Sequence, residues 1–107
     1  MSAVVGGLLL APPSQAAEAT KPFSGVVQAA AGDDFTCAVR TDRTVWCWGA
    51  NEYGQLGDST TDSRELPVQV QDLAGVVQVT AGGVHACAVR SDRTVWCWGS
   101  KLLWAVG

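Results

Sequence analysis

The octapeptide Asp-Arg-Thr-Val-Trp-Cys-Trp-Gly occupies residues 42–49 and recurs without a change at residues 92–99. The likeness extends upstream at the same 50-residue offset, so that 17 of the 24 positions of residues 26–49 are identical in residues 76–99. Such extended identity at a fixed period is typical of repeat proteins, in which each copy is one structural unit stacked on the next. The sequence therefore predicts a duplicated unit within a chain of 107 residues.

Each copy has the pattern of short β-strands. Residues 26–30, 35–40 and 44–48 form three such runs, and residues 67–70 form a fourth, where a proline suits the start of a strand. Thr41, Asp42 and Arg43 separate the second run from the third and indicate a hairpin. Several strands per period with Gly and Asp turns predict an all-β protein built of β-propeller blades. A two-sheet sandwich is the alternative, although a sandwich does not require near-identical copies.

The duplication sets the expected domain organisation. Residues 20–75 are the first repeat, and residues 76–107 are a second, truncated repeat, because the identity stops after Gly99. Two blades cannot close a ring, so we expect an incomplete propeller. Open blade edges expose unpaired backbone groups, which favour pairing with other chains. The sequence thus predicts marginal stability and self-association through these edges.

The N-terminal residues 1–19 have the features of an export signal. Residues 4–11 are apolar and uncharged, and Ala17-Glu18-Ala19 fits the small-x-small pattern of a cleavage site. The positively charged segment that usually precedes the apolar run of such a signal is absent, which argues against export. A disordered Ala-rich N-terminus is the alternative. The run is too short to span a bilayer. We expect an extracellular or cell-surface protein with no membrane span.

The four cysteines form two equally spaced pairs. In a hairpin with a three-residue loop centred on Asp42, Cys37 lies directly opposite Cys47, and by the same offset Cys87 lies opposite Cys97. An even set of cysteines in an exported chain favours disulfides. A two-residue turn would instead shift the register by one residue and leave free, buried thiols.

Strand alternation separates the side chains of the repeated octapeptide. Val45 and Cys47 lie on one face of the strand, and Trp46 and Trp48 lie on the other. Paired tryptophans beside a turn can form a ligand platform. Packing between neighbouring sheets is the interpretation we favour, because each ring buries a large apolar area.

The run Trp48-Gly49-x-Asn51-x-x-Gly54-Gln55-Leu56-Gly57, preceded by a Cys-Ala-Val-x-x-Asp-x-Thr-Val hairpin, resembles the regulator of chromosome condensation repeat. It is most similar to the cysteine-containing versions in exported bacterial proteins. The resemblance implies a propeller of about seven four-stranded blades in the complete family fold. The founding member promotes nucleotide exchange on a small GTPase and binds chromatin, and neither role suits an exported acidic protein. A related exported bacterial propeller inhibits β-lactamase through a loop-lined face.

Two departures from the family pattern bear on the structure. Arg43 and Arg93 stand where the family usually has glycine after the aspartate. If this position needs a positive φ, each arginine costs about 1–2 kcal/mol. In the second copy, residues 100–107 replace the expected Asn-x-x-Gly-Gln-Leu-Gly run.

The composition favours binding over catalysis. A net charge of −3 argues against a nucleic-acid partner, which requires a basic face. The single histidine, His85, takes the place of Phe35 of the first copy, so we expect packing rather than chemistry. No nucleophile has an evident histidine partner, and the cysteine spacing does not suit zinc. We therefore expect no enzyme, no cofactor and no metal.

The loops between the strands are the expected contact face for an unidentified protein partner. Residues 51–66 are the main candidate segment, and its candidate contact residues are Asn51, Glu52, Tyr53, Asp58 and Arg64. The leading hypothesis is an exported binding or scaffold module, a fragment of a longer protein. Two alternatives stay open: a truncated gene product without a function of its own, and a regulator of a partner enzyme that acts as an inhibitor or exchange factor.

Overall fold

The computed structural model describes residues 23–100, which contain seven β-strands and no helix. The strands are β1 (Val26–Ala31), β2 (Phe35–Arg40), β3 (Val45–Gly49), β4 (Arg64–Gln69), β5 (Val76–Ala81), β6 (His85–Arg90) and β7 (Val95–Gly99). Strands β1 to β4 form one antiparallel sheet in sequence order, here called blade 1, and β5 to β7 form a second, here called blade 2. The all-β prediction and the repeat of one unit are confirmed.

Strand β4 differs from its prediction. It begins at Arg64 rather than at Pro67 and ends at Gln69. A register shift between Cys47 and Gly49 allows Gly49 to pair with Arg64, which draws three further residues into the sheet. The polar Ser63-Arg64-Glu65 stretch had the composition of a loop, so its pairing was not evident from the sequence.

The β2–β3 hairpin has the register expected of a three-residue loop. The Arg40 N–H donates to the Thr44 carbonyl (2.9 Å), which closes the loop. Cys37 therefore pairs with Cys47, and their sulfur atoms are 2.11 Å apart. The same pairing brings Cys87 and Cys97 to an S–S distance of 2.07 Å in blade 2. Both pairs are disulfides, and the shifted register with free thiols is excluded.

The hairpin loop also explains the repeated Asp-Arg-Thr. Arg43 and Arg93 have φ angles of 69° and 73°, so this position does have the positive φ at which an arginine is strained. This conformation follows a turn in the common three-residue hairpin. Asp42 Oδ1 fixes the loop by accepting hydrogen bonds from the Thr44 N–H (3.1 Å) and hydroxyl (2.6 Å). These bonds, the Thr44 hydroxyl first, lower the pKa of Asp42.

The hydrophobic core lies between the two blades. Each blade has a cysteine face, which contains the disulfide, and a tryptophan face on the opposite side. The cysteine face of blade 1 packs against the tryptophan face of blade 2. The core residues are Phe35, Cys37, Val39, Val45, Cys47, Leu56, Val70, Leu73, Val76, Val79, Ala86 and Ala88. The stability of this pair of small sheets thus depends on their mutual contact.

The four tryptophans within residues 23–100 occupy three kinds of environment. Trp98 packs against the core between the blades, which confirms the packing interpretation for this ring. Trp46 and Trp48 are half-buried, and the Phe23 ring lies against both at centroid distances of 6.0 and 5.8 Å. Trp96 is 51% exposed. The same octapeptide is therefore packed differently in the two copies.

Two expectations lie outside the described residues: the export signal at residues 1–19, and the divergent stretch at residues 101–107. The domain boundaries at residues 20, 75 and 76 stay a prediction. Residues 23–100 contain no helix that is long and apolar enough to cross a membrane.

Candidate functional site: the loop between β3 and β4

Residues 50–63, here called the contact loop, join β3 to β4 and form the longest connection between two strands in the described chain. Four of the five predicted contact residues lie in this loop. The fifth, Arg64, is the first residue of β4, so the predicted segment that ran to residue 66 is corrected to end at residue 63.

Asn51 holds the contact loop together from within. Its side chain is fully buried. Nδ2 donates to the carbonyls of Asp62 (2.9 Å) and Thr60 (3.0 Å), and Oδ1 accepts the N–H of Leu56 (2.9 Å). The carboxamide is suited to this position because it combines donors with an acceptor. The buried side chain of Asn51 therefore organises the loop, and its position does not favour a direct contact with a partner.

Asp58 has a similar internal position. Its Oδ1 accepts hydrogen bonds from the Thr60 hydroxyl (2.7 Å) and N–H (3.0 Å), and Oδ2 lies 3.4 Å from Arg64 Nε. Burial by itself raises the pKa of Asp58, but the hydrogen bonds from Thr60 and Asn51 and the Arg64 guanidinium together lower it below its ordinary value. The carboxylate is thus held ionised as an acceptor inside the loop. Direct contact with a partner does not fit its position.

The Gln55-Leu56-Gly57 segment faces blade 2. Leu56 is fully buried in the core, and the Gln55 carbonyl accepts a hydrogen bond from Trp98 Nε1 (2.8 Å). A Cβ added at Gly57, where φ is 68°, would lie 2.8 Å from Val70 Cγ1 and 3.2 Å from Trp98 Cδ1. Glycine is required here by both the backbone and the close contact. This part of the motif joins the blades and is not available to a partner.

Glu52 and Tyr53 form the exposed tip of the contact loop. Tyr53 is 55% exposed, and its backbone N–H donates to Gln55 Oε1 (2.8 Å). The tip therefore presents the large, amphipathic Tyr53 side chain, and buried groups of the loop fix the backbone beneath it. Such an arrangement can contact a partner at a low cost in conformational entropy.

A shallow, open groove adjoins the loop along β4. It has a volume of about 410 Å³ and is lined by Ser63, Arg64, Glu65, Leu66, Pro67 and Val68. Leu66 is 66% exposed, and the Arg64 side chain is 42% exposed while it contacts Asp58 and Asp62. Of the five predicted contact residues, the structure thus leaves Glu52, Tyr53 and Arg64 accessible.

The environment of His85 agrees with packing. Its ring lies against Gly82, as the ring of Phe35 lies against Gly32 in blade 1. The buried Nδ1 has no hydrogen-bond partner within residues 23–100. In that same part of the chain, no three side chains of His, Cys, Asp or Glu come close enough to hold a metal ion.

The sequence of the blades matches a known family. Residues 42–89 match the family described as the regulator of chromosome condensation (RCC1) repeat, and residues 26–55 match a second profile of the same description. Residues 26–89 thus match RCC1 repeats. The E3 ubiquitin-protein ligase HERC2 is 38% identical over 42 residues in its human and mouse forms, which is 39% of this chain and 1% of that protein.

Solved structures share the fold of this chain. Human WBSCR16 matches with a TM-score of 0.69 and 32% identity, over 74% of this chain and 21% of that one. Yeast RCC1 (Prp20), in a complex with Kap60, matches with a TM-score of 0.66 and 26% identity, over 74% of this chain and 18% of that one. The chain therefore spans about a fifth of these structures or less, and its described part is two blades of an RCC1-type β-propeller.

Proposed function

We propose that this chain is an exported binding module that contacts a protein partner through the tip of its contact loop. Glu52 and Tyr53 form the centre of the contact, and Arg64 lies at its side. The observation that carries the proposal is the exposure of Tyr53 on a loop whose backbone is fixed by the buried Asn51. Tyrosine and arginine are enriched among the residues that dominate binding energies at protein interfaces.

The rigidity of the loop supports recognition rather than a linker role. Asn51 and Asp58 together bind the backbone of residues 56, 60 and 62, so the tip does not have to be ordered when a partner binds. Preorganisation of this kind raises affinity because less entropy is lost on association.

The relatives support a protein partner. One solved structure is of yeast RCC1 (Prp20) bound to Kap60, and another is of Prp20p from Saccharomyces cerevisiae, which has binding properties to Gsp1p and histones. The second relative is 20% identical to this chain, which supports a shared fold alone. Protein binding is thus the property we carry over, without the partners themselves.

Two observations support export. The two disulfides are compatible with an oxidising compartment, because thiols are kept reduced in the cytosol. The sequence of residues 1–19 has the apolar run and small-residue site of a signal peptide. Expression in a host with a secretion pathway, followed by N-terminal sequencing, tests this: we expect a mature N-terminus near residue 20 in the medium. Retention of the intact chain inside the cell would contradict export.

The contact itself is tested by site-specific photocrosslinking of the full chain in an extracellular fraction. A photoreactive phenylalanine analogue at position 53 should give a discrete adduct. The same analogue at position 27, which is also exposed and lies in β1 away from the loop, is the control. Once the partner is identified, Tyr53→Ala should weaken binding at least tenfold, and Leu66→Ala should leave the affinity within about twofold. Equal adducts at both positions would contradict the proposal.

The alternative functions predict different results in the same crosslinking experiment. A regulator of a partner enzyme would change the rate of the crosslinked partner when the purified chain is added, and Tyr53→Ala would abolish that change. A scaffold would bind without affecting the rate. A truncated product without its own function would give no specific adduct, and the gene would contain further repeats downstream in another reading frame.

A further inference from the structure

Equivalent residues of the two blades differ sharply in exposure. On the cysteine face, Val45 of blade 1 is fully buried, whereas its counterpart Val95 of blade 2 is 62% exposed. On the tryptophan face the order is reversed: Val76 of blade 2 is fully buried, whereas Val26 of blade 1 is 42% exposed. Each blade thus buries one face at the internal interface, and its other face stays exposed at the equivalent valine.

The internal interface shows what covers each face. Gln28, on the cysteine face of blade 1, donates through Nε2 to the Val79 carbonyl (2.8 Å) and accepts the Val79 N–H through Oε1 (2.7 Å). The Arg43 carbonyl accepts the N–H of Val76 (3.0 Å). The Asp33 N–H donates to the Gly83 carbonyl (3.0 Å). A cysteine face therefore recognises the backbone of the tryptophan face that follows it.

The free cysteine face of blade 2 has the same recognising groups. Gln78 is the counterpart of Gln28 and is exposed, and the Arg93 carbonyl corresponds to that of Arg43. The loop conformation that presents this carbonyl is also the same, since both arginines have a left-handed backbone. The face is thus equipped to bind another tryptophan face.

The free tryptophan face of blade 1 has the groups that would be recognised. Ala29 is the counterpart of Val79, and the exposed Val26 is the counterpart of Val76. Phe23, which packs on Trp46 and Trp48, corresponds to Leu73, a core residue of the internal interface. Phe23 is therefore part of this face and does not obstruct it.

We infer that copies of this chain associate head to tail, with the cysteine face of blade 2 on the tryptophan face of blade 1 of the next copy. This contact would repeat the internal interface. The partner is a second copy of the chain because that copy has both the apolar surface and the backbone groups that Gln78 and the Arg93 carbonyl would bind. It uses the blade faces instead of the strand edges. Because the interface is heterologous, it forms rings when the rotation closes. Propellers have about 4–8 blades, so a closed ring contains about two to four copies.

Complementation between two variants of the full, oxidised chain tests this arrangement. Val95→Glu disables the blade 2 face, and Val26→Glu disables the blade 1 face. Both residues are exposed, so the fold of each monomer should be retained. Light scattering after size exclusion should give assemblies of the wild type and, for each variant alone, the chain mass of 11.2 kDa. An equimolar mixture should give a heterodimer and nothing larger, because only one competent pair of faces remains.

Leu66→Glu places the same charge on an exposed position of β4, outside both faces, and should assemble like the wild type. Thr80→Glu, at an exposed position on the blade 2 face, should behave like Val95→Glu and complement Val26→Glu. A wild type that stays monomeric up to millimolar concentration would overturn the inference. Persistent assembly of either single variant would do the same and would indicate pairing through strand edges. A mixture without heterodimer would overturn the head-to-tail geometry.

Discussion

Gln28 and Val79 lie 51 residues apart in sequence, and the side chain of the first binds both backbone groups of the second. These two hydrogen bonds cross from β1 of blade 1 to β5 of blade 2. The Gln28 carboxamide thus provides a hydrogen-bond partner for both the N–H and the carbonyl of Val79 where the two sheets meet.

The chain contains its own control for the Gln28 contact. Gln28→Ala leaves the N–H and carbonyl of Val79 without their partner, so we expect a loss of about 1–3 kcal/mol in the free energy of unfolding. Gln78→Ala removes the same side chain from the exposed, equivalent position and should be nearly neutral in dilute solution. Urea unfolding of both variants measures the difference. Equal losses would show that the stacking contact is not formed.

The left-handed backbone at Arg43 leads to a prediction about stability. Arg43→Gly relieves the strain of a positive φ, which outweighs the entropy that glycine loses on folding, and should stabilise the chain by about 0.5–1 kcal/mol. Arg43→Ala removes the same side chain but keeps the strain, so it should leave stability near that of the wild type. Thermal unfolding distinguishes the two. An alanine variant as stable as the glycine variant would contradict the strained loop.

The two disulfides should contribute unequally. Each closes a loop with a sequence separation of 10, for which the chain-entropy relation gives about 2.5–3 kcal/mol. Cys37 and Cys47 are also fully buried in the core, whereas Cys87 and Cys97 are partly exposed. Replacing the first pair by alanine therefore creates a cavity and should cost more than replacing the second pair. Denaturant unfolding of the two double variants is the measurement, and a larger loss for the second pair would contradict the stacking order.

The contact loop should respond to acid through Asp58. Its pKa is lower in the folded chain than in the unfolded chain, where it is about 3.9. The ionised form thus contributes stability above about pH 4, and this contribution is lost as the pH falls through the folded-state pKa. Asp58→Asn should reduce stability at neutral pH by about 1 kcal/mol and weaken its dependence on pH below 4.

Asp62→Asn is the matched control for this acid response, because the Asp62 side chain is 76% exposed and lies 3.9 Å from Arg64. It should keep the acid dependence of the wild type in an unfolding series followed by tryptophan fluorescence. An unchanged acid profile for Asp58→Asn would show that its carboxylate does not stabilise the loop.

Local features of the fold could be predicted from the sequence. The position of Asp42 in the hairpin loop determined the register, and with it the pairing of Cys37 with Cys47. The glycine that the family usually has at the position of Arg43 raised the question of a positive φ there, and the backbone has one. Both depend on residues close in sequence, where turn geometry restricts the backbone to few choices.

Features that depend on contacts distant in sequence could not be predicted. Gln28 and Gln78 have nearly the same neighbours in sequence, and only the stacking order makes one a partner of Val79 and the other exposed. Asn51 lies in a segment with the composition of a surface loop. Its side chain is nevertheless buried, because it binds carbonyl groups that come from later in the same loop. Tyr53 stays accessible at the tip of the same loop.

The stacking of the two repeats is tested most directly by proton NMR of the oxidised chain. Trp98 Cδ1 is 3.2 Å from the point where a Cβ of Gly57 would lie, so the indole ring of blade 2 contacts the loop of blade 1. We expect a strong nuclear Overhauser effect between the Trp98 indole protons and the Gly57 α-protons. Its absence in a chain that still shows the α-proton contact between Cys37 and Cys47 would mean two independent hairpins, which would contradict stacked blades.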